Sequence, residues 1–324
     1  MDMISINDTT GYHLSDAVSL GWEQTVSECL KDIDSPYMLA LKQKRTYGDT
    51  ISDLFKVNNL LKPGARILEV GGGYGRLAER VLENFPDVSI TMADVSPVFL
   101  NRQRELLEGF GGRVDFINSD VYKYLEGAKD FDLIIANEVL GDLPAVIDVK
   151  KSDLIEFAKS GTAPKGLDGK GVECLSRALD YINDLGIDIG SAPDTINLNT
   201  GALKFISAAM ERTPALWVSE HSSDYGIPES ISEMFREDRP DRWPKKIILF
   251  NHKEVSVSFD HIKRGIERLE YKHVGGGLME LLGVRDDNEI RYILLSGSIV
   301  GETHEIIGEF LNHVKEYQWL LVTR

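Results

Sequence analysis

Two cysteines, Cys29 and Cys174, are all that 324 residues contain. No disulfide framework can be argued from them, and their spacing suggests no metal site, so both are expected as small core residues and no metal is expected. Basic residues are also in deficit: 36 Lys and Arg face 52 Asp and Glu, for a formal charge of -16. Such a surface repels phosphate backbones and argues against a nucleic-acid substrate. The densest basic stretch, Arg236 to Lys246, alternates with acids and holds Pro240 and Pro244, the composition of a solvated loop. No apolar run reaches the length of a membrane span, and no cationic stretch followed by an apolar one opens the chain. The expectation is a cytoplasmic protein with no membrane partner. A hydrophobic content of 42% with 27% charged residues is that of an ordinary globular protein, and the length allows one large domain with insertions or two domains.

What is present is glycine in one telling place. The run Ile67-Leu68-Glu69-Val70-Gly71-Gly72-Gly73-Tyr74-Gly75-Arg76 reads as a strand, a tight turn and a helix start, with a helical pattern from Leu77 to Leu82. Glycines at G-x-G-x-G spacing let a backbone approach a ligand closely. The dinucleotide form, G-x-G-x-x-G, would need a glycine where Arg76 stands. Glu69 also opposes a pyrophosphate, which wants bare helix-N-terminal amides. A ligand with a cationic amine and no phosphate suits Glu69 better, and S-adenosyl-L-methionine (SAM) has that chemistry.

Around this turn the chain is organised as alternating strands and helices. Ile67–Val70 precedes a helix at 76–84, Ser89–Ala93 a helix from Pro97, and Val114–Ile117 a short helix near Val121–Leu125. Phe131–Ala136 is nearly all apolar, as for a strand buried on both faces of a parallel sheet. This order predicts an α/β fold: a doubly wound, Rossmann-like, seven-stranded and mostly parallel sheet with its ligand at the carboxyl ends of the strands. Four regions are expected: an N-terminal helical cap over 1–60, with apolar spacing at Val18, Leu20, Trp22, Val26 and Leu30 and a second pattern from Pro36 to Phe55; the cofactor-binding core over 61–145; a helical insertion or lid without strong strands over 146–212; and the rest of the sheet over 213–324. In that last region Ala215–Ser219 is a strand, Ile247–Phe250 and Val255–Phe259 a hairpin, and 260–270 a helix. Gly275 to Gly277 form a turn followed by Leu278–Leu282, Ile290–Leu295 a strand in preference to a helix turn, 303–316 a helix and Trp319–Val322 the terminal strand.

Polar residues at the strand ends are the candidate ligand contacts. Asp94 ends the second strand 21 residues after Gly73, where a carboxylate can accept hydrogen bonds from both ribose hydroxyls; Asp94 and Ser96 are equally good helix caps. Asp120 ends the third strand and suits an adenine amino group, with Val121 against the ring, or else a cap. Asn137 and Glu138 follow the most apolar strand, Asn137 placed for the methionyl part and Glu138 for the acceptor. Glu220, His221 and Asp224 follow the fifth strand; neighbours on an extended chain point apart, so a substrate contact is expected from them rather than a metal.

With these residues in place the chain resembles the class I SAM-dependent methyltransferases, whose E-x-G-x-G-x-G turn is matched by Glu69-Val70-Gly71-Gly72-Gly73-Tyr74-Gly75. The resemblance implies that Glu69, Gly71, Gly72, Gly73, Tyr74, Gly75, Asp94, Val95, Ser96, Asp120, Val121 and Asn137 bind SAM. A narrower similarity is to the MidA family, whose mitochondrial members methylate an arginine of a respiratory complex I subunit. It is carried by Ala93-Asp94-Val95-Ser96-Pro97-Val98-Phe99-Leu100-Asn101-Arg102-Gln103, Ala136 to Pro144, Asp224-Tyr225-Gly226, Val257 to Ile262 and Gly277 to Val284. The chain departs from that family in its glycine turn, which there reads G-P-G-R-G, and in lacking the N-terminal F-G-x-x-G-D-F-x-T segment.

The function expected is methyl transfer from SAM to a nucleophile such as a protein side-chain nitrogen, with Glu138 as the catalytic carboxylate. A carboxylate suits an amine or guanidine; a phenol or carboxylate acceptor would more naturally want His or Lys. The alternatives are a small-molecule N- or O-methyltransferase, a non-catalytic SAM-binding assembly factor and, disfavoured by Glu69 and Arg76, a nicotinamide dehydrogenase. The acceptor, protein or small molecule, and the oligomeric state are left open.

Overall fold

The computed structural model describes residues 4–15, 25–224, 226–234, 242–249, 252–284, 286–296 and 300–324. Val18, Leu20, Trp22, Tyr225, Phe250 and residues 236–241 of the basic loop, all of which figure in the expectations above, lie outside them.

Seven strands form the main sheet: β1 (Arg66–Val70), β2 (Ser89–Asp94), β3 (Val114–Asn118), β4 (Leu133–Asn137), β5 (Ala215–His221), β6 (Lys272–Gly277) and β7 (Tyr317–Thr323). Their spatial order is β6-β7-β5-β4-β1-β2-β3. β1 to β5 run parallel, and β7 is antiparallel to both of its neighbours. The seven-stranded, mostly parallel, doubly wound sheet expected from the sequence is therefore the fold.

Side-chain alternation sorts the central strands between two cores. Ile67, Leu133, Ile135 and Trp217 face one, together with Leu30, Met38, Ile51 and Phe55 of the N-terminal helices and Phe310 of the C-terminal helix. Leu68, Val70, Ile134, Ala136, Leu216 and Val218 face the other, covered by the helices Thr200–Arg212 and Phe259–Arg268. Every residue of β4 is buried, which explains why its sequence carries no polar alternation. Because β1 is flanked by β4 on one side and β2 on the other, the chain reverses direction across the sheet there and leaves a crevice at the carboxyl ends of these strands.

Three expectations need correction. Residues 146–212 are mostly helical but not without strands: Ala145–Lys150 and Thr195–Leu198 pair antiparallel, and Ser5–Asn7 adds a third strand beside Ala145–Lys150. With the helices Lys151–Ser160 and Gly169–Leu185 they enclose a third core around Val146, Leu175 and Leu198. Gly275 to Gly277 are not a turn but part of the edge strand β6. A Cβ on Gly275 would stand 2.2 Å from the Trp319 carbonyl oxygen, and one on Gly277 would stand 1.9 Å from that of Gly226, so glycine here permits close backbone approach within a sheet. Ile290–Leu295 lies in the helix Asn288–Ser296, not in a strand; Asp287 accepts from the backbone N–H groups of Glu289 and Ile290 at its start. Elsewhere the differences are small. The hairpin pairs Lys246–Ile248 with Lys253–Val255, while Val257 bridges to Ser222. Cys29 and Cys174 are buried free thiols. Among the described residues no helix is long and apolar enough to cross a membrane.

Candidate active site

After Val70 the backbone turns through Gly71 to Gly75 into the helix Arg76–Asn84. Gly71 and Gly73 take φ of +60° and +51°, values that side chains rarely tolerate. A Cβ on Gly71 would also lie 2.5 Å from Val139 Cγ2, so the turn is pressed against the segment after β4.

The crevice has two lobes. Asp94, Val95, Phe99, Asp120 and Val121 line one, under Thr9, Thr10 and His13 of the N-terminal segment. Glu69, Gly72, Tyr74, Arg76 and Asn137 line the other, with Thr25, Ser27 and Glu28. Gly71, Gly73 and Glu138 border both lobes and so stand where the two meet. Of the residues expected to bind the cofactor, Gly75 and Ser96 line neither lobe: Gly75 starts the helix at 76, and Ser96 is a buried cap that accepts from the Phe99 N–H.

Glu69 is buried, and its Oε2 has no hydrogen-bond partner. Burial pushes its carboxyl up to about 8, against the opposing bond from the Ala78 backbone. An unpartnered carboxylate is costly to bury, and a cationic group beside it would offset that cost. Asp94 is also buried. Its Oδ1 accepts from the Ser96 N–H at 2.8 Å and its Oδ2 from Gln103 Nε2 at 3.4 Å, with burial raising the carboxyl to about 6. Asp120 is the cap foreseen as one of its two roles, with Oδ1 accepting from the Lys123 N–H at 3.0 Å, and it also lines the lobe.

Glu138 has φ +54°, a strained conformation for a residue with a side chain, of the kind that concentrates at functional positions. Its Oε2 accepts from the Val26 N–H at 3.3 Å and from the Tyr317 phenol at 3.2 Å, and its Oε1 accepts from Asn137 Nδ2 at 3.1 Å. The buried Tyr47 phenol donates to Asn137 Oδ1 and so fixes which way that amide faces. Burial raises the Glu138 carboxyl to about 7, although these donors oppose the rise. Its surroundings are acidic. Glu254 is lifted to about 8 by burial and by Asp142 and Glu138, and Glu220 is raised by burial and by Glu254 and Asp142. Glu220, His221 and Asp224 do not converge: Glu220 accepts from the Gly141 and His221 N–H groups, and the His221 ring packs 4.1 Å from Tyr317.

Sequence reasoning missed Thr9, His13, Tyr47 and Tyr317. All reach the site from elements far away in the chain, and no local pattern marks them.

The family described as a methyltransferase domain matches residues 68–164, a stretch that begins inside β1 and holds the glycine turn, Asp94, Asp120 and Glu138. This match, which takes in under a third of the chain, and the seven-stranded sheet support the class I SAM-dependent methyltransferase superfamily for this chain. Its relatives include malonyl-[acyl-carrier protein] O-methyltransferase 1 of Ilyobacter polytropus, 38% identical over 71 residues, which are 22% of this chain and 26% of that protein. Trans-aconitate 2-methyltransferase of Streptomyces avermitilis is 33% identical over 106 residues, 32% of this chain and 38% of that protein. The matches thus span well under half of these relatives. Over nearly its whole length the chain shares its fold with an uncharacterized protein from Burkholderia thailandensis, with TM-score 0.51 and 16% identity, covering 99% of this chain and 88% of that one. That superfamily's cofactor is SAM, and the cleft has a lining that can take it. The unpartnered Glu69 oxygen belongs to the lobe beside the glycine turn, and Asp94 and Asp120 line the other lobe.

Proposed function

We propose that the protein transfers the methyl group of SAM to a nitrogen that is cationic before reaction, an amine or guanidine, on a protein side chain or a small molecule. The observation that carries this reading is the placement of Glu138. It stands at the junction of the two lobes, held by three donors, and the carboxyls of Glu254 and Glu220 nearby are both raised by burial and by acidic neighbours. A cationic acceptor would favour ionisation of these carboxyls, whereas a carboxylate acceptor would add to their repulsion.

In this reading the ammonium of SAM lies by Glu69, its carboxylate by Arg76, its ribose hydroxyls on Asp94 and its adenine between Asp120 and Val121. When bound, SAM supplies an electrophilic methyl on sulfur. Glu138 would bind the acceptor's N–H and take its proton, leaving the nitrogen lone pair free for the methyl group that SAM would supply. Tyr317, Asn137 and the Val26 N–H hold the carboxylate in one orientation, so that much of the rate comes from positioning, worth roughly 7–11 kcal/mol in favourable cases. The acidic surround and the similarity to the MidA segments favour arginine among guanidines.

The test is to incubate the protein with methyl-labelled SAM and a cell extract, then hydrolyse the products and identify the labelled groups. Label on an amine or guanidine nitrogen, lost with Glu138→Gln, supports the reading. Label recovered only as carboxyl or phenol methyl groups overturns it.

A further inference from the structure

The cleft mouth holds a second cluster, which shares Asp142 with the acidic surround of Glu138 and adds two imidazoles to it. His13, Asp142 and His252 come from the N-terminal segment, the loop after β4 and the 246–255 hairpin, and one ligand atom of each lies within 4.8 Å of those of the other two. His13 Nε2 is 3.0 Å from Asp142 Oδ1, and the Thr9 hydroxyl holds the same loop by donating to the Asp142 carbonyl at 2.9 Å. His252 has the arrangement of a metal-ligating imidazole. Its Nε2 is 2.8 Å from Glu254 Oε1, and its Nδ1 is buried without a partner. Ligating histidines characteristically give their other ring nitrogen to a carboxylate, which fixes the ring and strengthens it as a ligand. The Tyr12 ring, stacked on His252 at 3.9 Å, adds a fixed wall.

We propose that His13, Asp142 and His252 bind a divalent transition-metal ion, Zn²⁺ by preference, with Glu254 orienting His252. Two imidazoles and one carboxylate are a donor set that suits zinc, with a fourth position left for water. With metal–ligand bonds near 2.0–2.2 Å, the ligand atoms of a tetrahedral site lie about 3.4 Å apart; one pair is already slightly closer, and the others need to contract by at most about 1.4 Å. An ion here would tie the Thr9–His13 segment to the loop after β4 and to the hairpin. It departs from the sequence, where no metal is expected, because the three ligands are more than a hundred residues apart and share no spacing.

The experiment is calorimetric titration of the chelator-treated full chain with ZnCl₂, run beside thermal unfolding with and without zinc. The expected result is one ion bound per chain and a raised unfolding midpoint. His252→Ala and His13→Ala should each remove both effects, and Glu254→Gln should weaken binding by about 10–100-fold, as loss of an orienting carboxylate does. His273→Ala, at a histidine outside the cluster, should change nothing. The metal-free unfolding midpoint of each variant shows whether it folds; Asp142→Asn serves as a further ligand variant should His13→Ala or His252→Ala fail to. Absence of a stoichiometric binding event in the parent, or equal binding by variants that fold, would overturn the proposal. Neither measurement involves methyl transfer, so its outcome is independent of the function proposed above.

Discussion

Tyr317, the first residue of β7, donates its phenol proton to Glu138 Oε2 at 3.2 Å, across 179 positions of chain. The bond favours the ionised carboxylate, while burial favours the protonated one and sets it near 7. Only the carboxylate can take a proton, so activity should rise with pH through about 7. Tyr317→Phe removes one stabilising donor, raises the Glu138 pKa further and should move this rising limb to higher pH. Initial rates between pH 5.5 and 9 check the direction; an unmoved limb would mean that Tyr317 does not act through Glu138.

Glu138→Gln keeps the side chain's size and removes its charge. Turnover should fall by roughly 10²–10⁴, the range for a positioned general base, with SAM affinity nearly unchanged. Loss of SAM binding in step with turnover would make Glu138 a cofactor ligand instead, and unchanged turnover would end its proposed role.

Glu69 yields a prediction about protons. Its pKa of about 8 in the folded chain leaves it mostly protonated at pH 7, and the ammonium of bound SAM should ionise it. Binding should therefore release up to about one proton through this group, read from the dependence of the calorimetric heat on buffer ionisation enthalpy. Glu69→Gln should abolish that release. The same shift has a consequence for folding: the unfolded carboxyl ionises in the ordinary range and the folded one does not, so this group makes the free protein less stable as pH rises toward about 8 and adds nothing further above it. Stability that rose over this window in the parent relative to Glu69→Gln would contradict the assignment.

The site was partly legible in the sequence because the glycine turn and the strand-end acids act through local backbone geometry. Gly71 and Gly73 need positive φ, and Asp94 and Asp120 sit where strands must end. What surrounds Glu138 was not legible. Tyr47, Tyr317 and the Val26 N–H are brought to it by pairing and packing between distant segments, and a tyrosine in an apolar strand looks the same with or without a partner. The β6 error has a related cause: Gly275 and Gly277 signal a turn locally, yet they are required by a neighbouring backbone that local sequence does not reveal. The Ile290–Leu295 error is one of period, since Ile290, Ile293 and Leu294 fit a helix face as well as a short strand.

Gly73→Val should abolish SAM binding while leaving the fold intact, because a branched side chain is strained at φ +51° and would project beside the junction of the lobes. Circular dichroism and the unfolding midpoint check the fold, and equilibrium dialysis with labelled SAM checks binding. Binding as tight as the parent's would displace the site from this turn.

The most direct measurement for the central claim is calorimetric titration of the full chain with SAM and, separately, with NAD, repeated on Asp94→Ala. The account predicts saturable binding of one SAM per chain, no comparable binding of NAD, and a loss of about 2–4 kcal/mol of SAM affinity in the variant from two charge-assisted ribose bonds, with the Ser96 cap preserving the helix. Binding of NAD in preference to SAM, or an Asp94→Ala affinity within about threefold of the parent's, well under 1 kcal/mol, would contradict it.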